Sequence, residues 1–316
     1  MAPSARQGAE GARAIRERAG NTLDSSLIVA QFISGLTSAM TLFLVASGLT
    51  LIFGVVNVFN FAHGSFYLLG AYFAYQVVAV SGVGFWAGVL LASLGAGAAG
   101  VLMEYFFLRR IYGRSGEAGF QILLTYSFIL ILDDVVKMIW GTDYKSISKP
   151  EALAGPLSVG EVTMPRYDLV VIAIGLAVAV GMWAAIRKTR FGRNLRAISS
   201  NREMASSLGV NVPLTLSLVF GLATALGGLS GAIAAPVRTV TPGAGIEVII
   251  GSLIVVVIGG LGNFWGALVG ALVIGEVTAF GILFLPQWAI LFSYAVMALV
   301  LVFRPEGLLM KKGNAR

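Results

Sequence analysis

The sequence predicts an all-α, polytopic membrane protein with about eight or nine transmembrane helices, two of them interrupted at glycines. Three observations predict this. Hydrophobic residues make up 57% of the 316 residues and charged residues only 12%, about half the charged share of an ordinary soluble domain. From about Leu27 to Phe303 the chain is a series of apolar runs, most of them near the roughly 20 residues that cross a hydrocarbon core roughly 30 Å thick. The runs are too long for barrel strands and do not alternate, and only helices or closed barrels satisfy their backbone in lipid, which leaves helices.

Residues 1–26 read as a charged tail, with Arg6, Arg13, Arg16 and Arg18 against Glu10, Glu17 and Asp24. No small-x-small site closes a short apolar core there, so the tail is not a secretory signal. A transmembrane domain over 27–303 follows, with nine expected spans. They lie near Leu27–Val56, Phe61–Val80, Phe85–Met103, Gly119–Trp140, Asp168–Ile186, Pro213–Ala235, Glu247–Gly260, Gly262–Gly281 and Trp288–Phe303. The first is long for one straight crossing and the seventh is short.

Charge divides the connections. Leu108–Ala118 carries Arg109, Arg110 and Arg114 against Glu117. The loop 187–212 carries Arg187, Lys188, Arg190, Arg193, Arg196 and Arg202 against Glu203, and the tail 304–316 is also basic. The Gly141–Tyr167 connection and the turn around Arg238 and Glu247 are balanced. The basic segments therefore face the cytoplasm, the C-terminus among them. Nine spans then place the N-terminus outside, against the small arginine excess of its tail. The net charge of +7 reads as this bias and not as nucleic-acid binding. The absence of cysteine and the single histidine, His63, exclude disulfides and multi-histidine metal sites. No G-x-x-x-x-G-K-[ST] loop is present, so any ATP used must be hydrolysed by another chain.

Two segments interrupt the apolar pattern. Gly54-Val-Val-Asn57-Val-Phe-Asn60-Phe-Ala-His63-Gly64-Ser65 joins two runs with almost no loop, and Gly259-Gly260-Leu-Gly262-Asn263-Phe264-Trp-Gly266 joins two others. Polar side chains are expensive in hydrocarbon unless they face protein or a wet cavity, and glycines allow the helix to unwind. Asn57, Asn60, His63, Gly64, Gly260, Gly262 and Asn263 are thus expected along a substrate pathway, as in transporters with paired broken helices. The other reading is a pair of tight turns between hairpin helices. Gly262-x-x-x-Gly266-x-x-x-Gly270 and Gly227-x-x-x-Gly231 read as faces where helix backbones approach closely. Gly95-Ala-Gly97-Ala-Ala-Gly100 has dinucleotide-binding spacing but no preceding strand, and is rejected as such.

Asp133, Asp134 and Lys137 fall within the fourth expected span at pairing distance on one helix face. They form either an ion site or a locally paired interfacial cluster. Glu276 stands alone in the eighth. In the basic loop, Ser200-Asn-Arg-Glu203 has capping-box spacing and Gly209 supplies a stop. A short helix near Asn201–Leu208 follows, with Met204, Ala205 and Leu208 on one face. Arg193, Arg196 and Arg202 suit acidic partner groups or lipid phosphates.

Glu203-Met204-Ala205-x-x-x-Gly209 resembles the Glu-Ala-Ala-x-x-x-Gly coupling-helix motif of ABC importer permeases, with Met204 in place of an alanine. The ordered set of Gly48-Leu-Thr-Leu-Ile-Phe-Gly54, Asn60-Phe-Ala-His63-Gly64, Gly70-Ala-Tyr72, Arg190-Phe-Gly192-Arg193, Met204-Ala-Ser-Ser-Leu-Gly209-Val-Asn211, Gly259-Gly-Leu-Gly262 and Arg304-Pro-Glu-Gly307-Leu resembles the branched-chain amino acid permease family, in particular its LivH-type subunit. The resemblance implies a non-catalytic permease subunit in a bacterial inner membrane. It carries no cofactor of its own, and ATP and Mg sit on two partner ABC ATPase subunits. The other implied partners are a LivM-like second permease and a periplasmic substrate-binding protein. Branched-chain or other apolar amino acids are the implied substrates. Related systems take urea, short amides or aromatic and other organic acids. An ion-coupled secondary transporter using Asp133, Asp134 or Glu276 is the alternative class, and it would need no ATPase docking loop.

Overall fold

The computed structural model describes residues 4–56, 60–112, 117–159 and 162–309, with side chains from Leu27 onward except at 117, 118, 159 and 162. Asn57, in the first interruption, and Arg114, in the first basic loop, lie outside the described residues. The protein is a helical bundle. Its first helix, α1 (Ser4–Val56), runs 53 residues without a break, because the alanine-, arginine- and glutamate-rich start is itself a good helix former. The helices that follow are α2 (His63–Ala74), α3 (Phe85–Phe106), α4 (Glu117–Trp140), α5 (Arg166–Lys188), α6 (Arg190–Ser200), α7 (Arg202–Ser207), α8 (Val212–Ala234), α9 (Ala244–Gly259), α10 (Phe264–Phe284) and α11 (Ala289–Phe303). A small antiparallel hairpin, β1 (Pro156–Val159) and β2 (Val162–Pro165), precedes α5.

Among the described residues, six helices are long and apolar enough to cross a membrane: the Leu27–Val56 part of α1, α3 extended to Arg110, α5, α8, α10, and α11 with its preceding turn. The other three expected spans are built differently. α4 has the length, with Asp133, Asp134 and Lys137 toward its end. α9 has 16 residues, a rise of about 24 Å. α2 starts inside the bundle, since the His63 ring reaches the carbonyl of Val45 on α1, about 16 Å along the axis from the helix end at Val56. It then leaves through a π-helical turn at Tyr75–Val80.

α8 is the hub, packing on α1, α2 and α3. The closest contacts are between backbones. A Cβ at Gly70 would collide with Gly228 and one at Gly231 with the Tyr67 carbonyl, and one at Gly97 would press on the Gly221 carbonyl and the Ala225 side chain. Ser93 adds a hydrogen bond to the Ala225 carbonyl at 2.9 Å. α10 lies against α1 in the same way, Gly275 meeting Ala39 and the Gly35 carbonyl.

α9 and α10 form an antiparallel hairpin, with Gly266 against Gly259 and Gly270 against Val255. The Gly259–Asn263 segment is the tight turn that closes it, with positive φ at Gly260 (100°) and Gly262 (75°). Here the structure follows the hairpin reading, not an interruption within one helix. Gly262 consequently precedes α10 and does not share the Gly266–Gly270 face; it lies opposite Gly54.

At the end of the bundle away from the basic loop, Lys145 and Val240 exchange backbone hydrogen bonds at 3.0 and 2.9 Å. Asp133 accepts the Gly243 N–H at 2.6 Å and pairs with Lys137 at 2.6 Å, while Lys137 also meets Asp134 at 3.2 Å. The acidic pair is therefore a locally paired cluster around Lys137 that ties α4 to the strap joining α8 and α9.

Replacing Gly231 by Val should destabilise the protein by about 1–3 kcal/mol, since overpacking a filled contact forces the backbones apart. Thermal unfolding of the detergent-solubilised protein, compared with Gly181→Val at an open position, checks this. Equal melting of the two variants would contradict the packing.

Candidate functional site

The basic end of the bundle is built from three successive caps. α5 finishes on Arg187 and Lys188. The Thr189 hydroxyl accepts the Gly192 N–H at 3.2 Å and starts α6. α6 buries Gly192, Leu195 and Ile198. A side chain at Gly192 would strike the carbonyls of Ala185 and Ile186, so α6 folds back hard against the end of α5. Arg196 donates to the Ile186 carbonyl, and Ser199 donates to the Gly54 carbonyl at the end of α1 at 2.8 Å.

α7 begins one residue later than the capping-box spacing predicts. Ser200 still belongs to α6, and Asn201 is the N-cap, its Oδ1 accepting the Met204 N–H at 2.9 Å. The amphipathic run of α6 extends through Ser200, and the extended backbone of Asn201 (φ −158°, ψ 109°) makes the break. Gly209, at φ 84°, ends the helix as expected, with the Val210 N–H returning to the Ala205 carbonyl at 3.0 Å. Asn211 then caps α8 through the Leu214 N–H at 3.0 Å.

The expected shared face of α7 is divided. Ala205 is 2% exposed and packs with Ile198, Val212 and Leu216, whereas Met204 and Leu208 are 58% and 76% exposed. α7 thus stands on Ala205 and presents two large apolar side chains outward. Arg193, Arg196 and Glu203 are exposed around it, and Arg202 lies over the Tyr112 ring at 5.0 Å.

The expected pathway residues fall at two depths. His63 is fully buried. Its Nε2 donates to the Val45 carbonyl at 3.1 Å, and its ring lies against Gly48 and Gly227. Asn60 is 2% exposed, and its side-chain amide has no hydrogen-bond partner among the described residues. Gly64 meets the Gly245 carbonyl and Ile249, where α2 and α9 both begin.

Gly260, Gly262 and Asn263 sit instead at the basic end. Gly260 is covered by Gly307. Asn263 caps α10 through the Gly266 N–H at 3.1 Å and donates to the Leu309 carbonyl at 3.1 Å. A cleft of about 170 Å³ opens there, lined by Thr50, Gly54, Ile186, Arg196, Ser199 and Gly262 among others. It brings Gly262, from the expected pathway, beside Arg196, from the expected coupling loop.

Sequence reasoning missed a buried ionic node beneath this surface. Glu104, fully buried on α3, accepts from the Ser217 hydroxyl at 2.5 Å and pairs with Arg109 at 3.4 Å. Arg109 also donates to Ser217 at 2.6 Å and to the Pro213 carbonyl at 3.2 Å. The node fixes the end of α3 to the start of α8. A carboxylate ending an apolar run, five residues before an arginine, was the available signal.

Loss of the Asn201 cap should cost about 1 kcal/mol, roughly a fivefold rise in local opening. Hydrogen exchange of residues 202–208 in Asn201→Ala should speed up by about that factor while α8 is unchanged. Unaltered exchange would remove the cap from the account.

The chain matches the family described as "Branched-chain amino acid transport system / permease component" over residues 31–302. It is 28% identical to the high-affinity branched-chain amino acid transport system permease protein BraD of Pseudomonas aeruginosa, covering 88% of this chain and 94% of that protein. It is 26% identical to the corresponding permease protein LivH of Escherichia coli, over the same shares. It is also 26% identical to a probable LivH of Methanocaldococcus jannaschii, over 84% of this chain and 88% of that one. With helices that can span a bilayer, a capped helix at its basic end and a match across nearly its whole apolar length, this chain belongs to the permease components of branched-chain amino acid transport systems.

Proposed function

We propose that the chain is the membrane-spanning, non-catalytic subunit of an ATP-driven importer for branched-chain or other apolar amino acids. A second permease subunit, two ATPase subunits and a soluble binding protein outside the membrane complete the machine. The observation that carries this reading is α7. It is a six-residue helix capped at both ends, with Met204 and Leu208 exposed on a basic surface. Large exposed apolar side chains set among charges mark a protein contact, and a helix held at both ends transmits force rather than absorbing it.

The basic end is assigned to the cytoplasm by the excess of arginine and lysine in its short connections. The C-terminal segment follows it there, because Gly307 packs on Gly260 and the Leu308 N–H reaches the Ile258 carbonyl at 2.8 Å. Met204 and Leu208 then enter a groove on an ATPase subunit, and the surrounding arginines meet its acidic rim.

Closure of the ATPase pair moves α7. That movement passes to α8 through Ala205, Val212 and Leu216, and to α1 through α6 and the Ser199–Gly54 hydrogen bond. Both α1 and α8 touch His63, so a relative shift of the two is felt where α2 begins. ATP drives the cycle only by favouring one arrangement over the other. Asp133, Asp134 and Lys137 serve as a paired tether in this scheme.

Leu208→Glu should abolish docking of the ATPases while leaving the bundle folded. Truncating a central contact commonly costs about 2 kcal/mol or more, so ATP-driven leucine uptake should fall about thirtyfold or more and the ATPases should no longer co-purify. Normal uptake with an intact complex would sink the reading of α7. Co-purification of the wild-type chain without any ATPase would sink the importer itself.

A further inference from the structure

At the end of the bundle opposite the basic loop, a second cavity of about 100 Å³ opens between α2, α8 and α9. Its wall carries one guanidinium, Arg238, and one carboxylate, Glu247, together with the Tyr67 phenol and the hydroxyls of Thr239 and Thr241. Leu68, Ala71 and Val248 supply an apolar side. Arg238 and Glu247 are both exposed, and neither forms an ion pair among the described residues.

The strap that carries Arg238, Thr239 and Thr241 is held in place, and Glu247 follows it in the first turn of α9. The Arg238 N–H bonds to the Ala234 carbonyl at 2.8 Å, Val240 is paired on both backbone groups with Lys145, and Gly243 is fixed by Asp133. Two opposite charges left unpaired on a rigid frame, with an apolar wall beside them, match a small molecule that bears both charges and an apolar branch.

We propose that this cavity is the receiving site for a zwitterionic amino acid with an apolar side chain. Arg238 takes the α-carboxylate, where a planar guanidinium can bond both oxygens. Glu247 takes the α-ammonium, and the side chain lies along Leu68, Ala71 and Val248. A substrate lacking either pole leaves one of the two protein charges uncompensated, so selection at this point is for the zwitterion. This deepens the importer reading and rests on it.

The test uses the complete importer in vesicles, supplied with its binding protein and leucine, together with photo-leucine crosslinking of the unmodified complex. Uptake per ATP hydrolysed should fall at least tenfold in Arg238→Gln and in Glu247→Gln, and the affinity of the binding protein for the complex should not change. Photo-leucine should label peptides containing Tyr67–Ala71 or Thr239–Val248. Excess leucine should compete with the label, and isoamylamine or isocaproate, each with a single pole, should not.

Labelling confined to other segments overturns the site, and does so even if the two variants fail to assemble. Weakened docking of the binding protein in the variants would assign Arg238 and Glu247 to a protein contact and likewise overturns it. Full uptake in both variants removes the site while leaving the importer reading intact. Wild-type vesicles that take up no amino acid overturn both.

Discussion

Everything in this bundle depends on helix backbones touching at glycines. In a bilayer no hydrophobic force draws one helix to another, because lipid is as apolar as leucine; close packing must hold them. α2 shows the consequence most clearly. It is lodged between α8 and α9 by Gly70 against Gly228, Gly231 against Tyr67, and Gly64 against Gly245. With no Cβ at Gly48, the imidazole of His63 fits between α1 and α8. Its hydrogen bond to the Val45 carbonyl then gives the buried ring a polar partner, as burial of such a group requires. His63 is thus a product of the packing, fixed by three helices, before it is anything else.

The same contacts sort the bundle into parts that move together. α3 is joined to α8 along most of its length, and at its end the Glu104–Arg109–Ser217 node adds charge-assisted hydrogen bonds in a buried setting. Removing one partner of such a node leaves a buried charge uncompensated, which is why nodes of this kind resist separation. α6 reaches α1 through the Ser199–Gly54 hydrogen bond and through Val55 and Val56, which pack on the cluster that holds Ile198, beside an open cleft. On the proposed reading, force entering at α7 has two routes, one through α8 and one through α6 to α1, and the cleft lies where α6 meets α1.

The fold class was legible in the sequence because composition and run length decide it almost alone. The capped helix was legible because side-chain caps act within three residues; its start was misplaced by one, since Ser200 and Asn201 are both competent caps and only the amphipathic reach of α6 chooses between them. The tertiary partners were not legible. Nothing local says that α2 begins beside Val45, that Ala205 turns inward while Met204 and Leu208 turn out, or that Glu104 meets Ser217 across more than a hundred positions. The turn at Arg238 and Glu247 read as a balanced connection, because charge counting cancels the two residues that geometry leaves apart.

That cancellation separates the two ends of the molecule physically. At the basic end the cations are in excess, and an excess field attracts acidic groups over several ångströms without choosing among them. At the other end the charges sum to little, so no long-range field reaches out. What remains is a short-range pattern in which each charge recognises only what touches it. A neutral zwitterion is poorly served by a net field and well served by such a pattern. On the readings proposed above, the balanced charge around the strap and the surplus charge of the basic loop suit different partners, one small and dipolar, the other large and acidic.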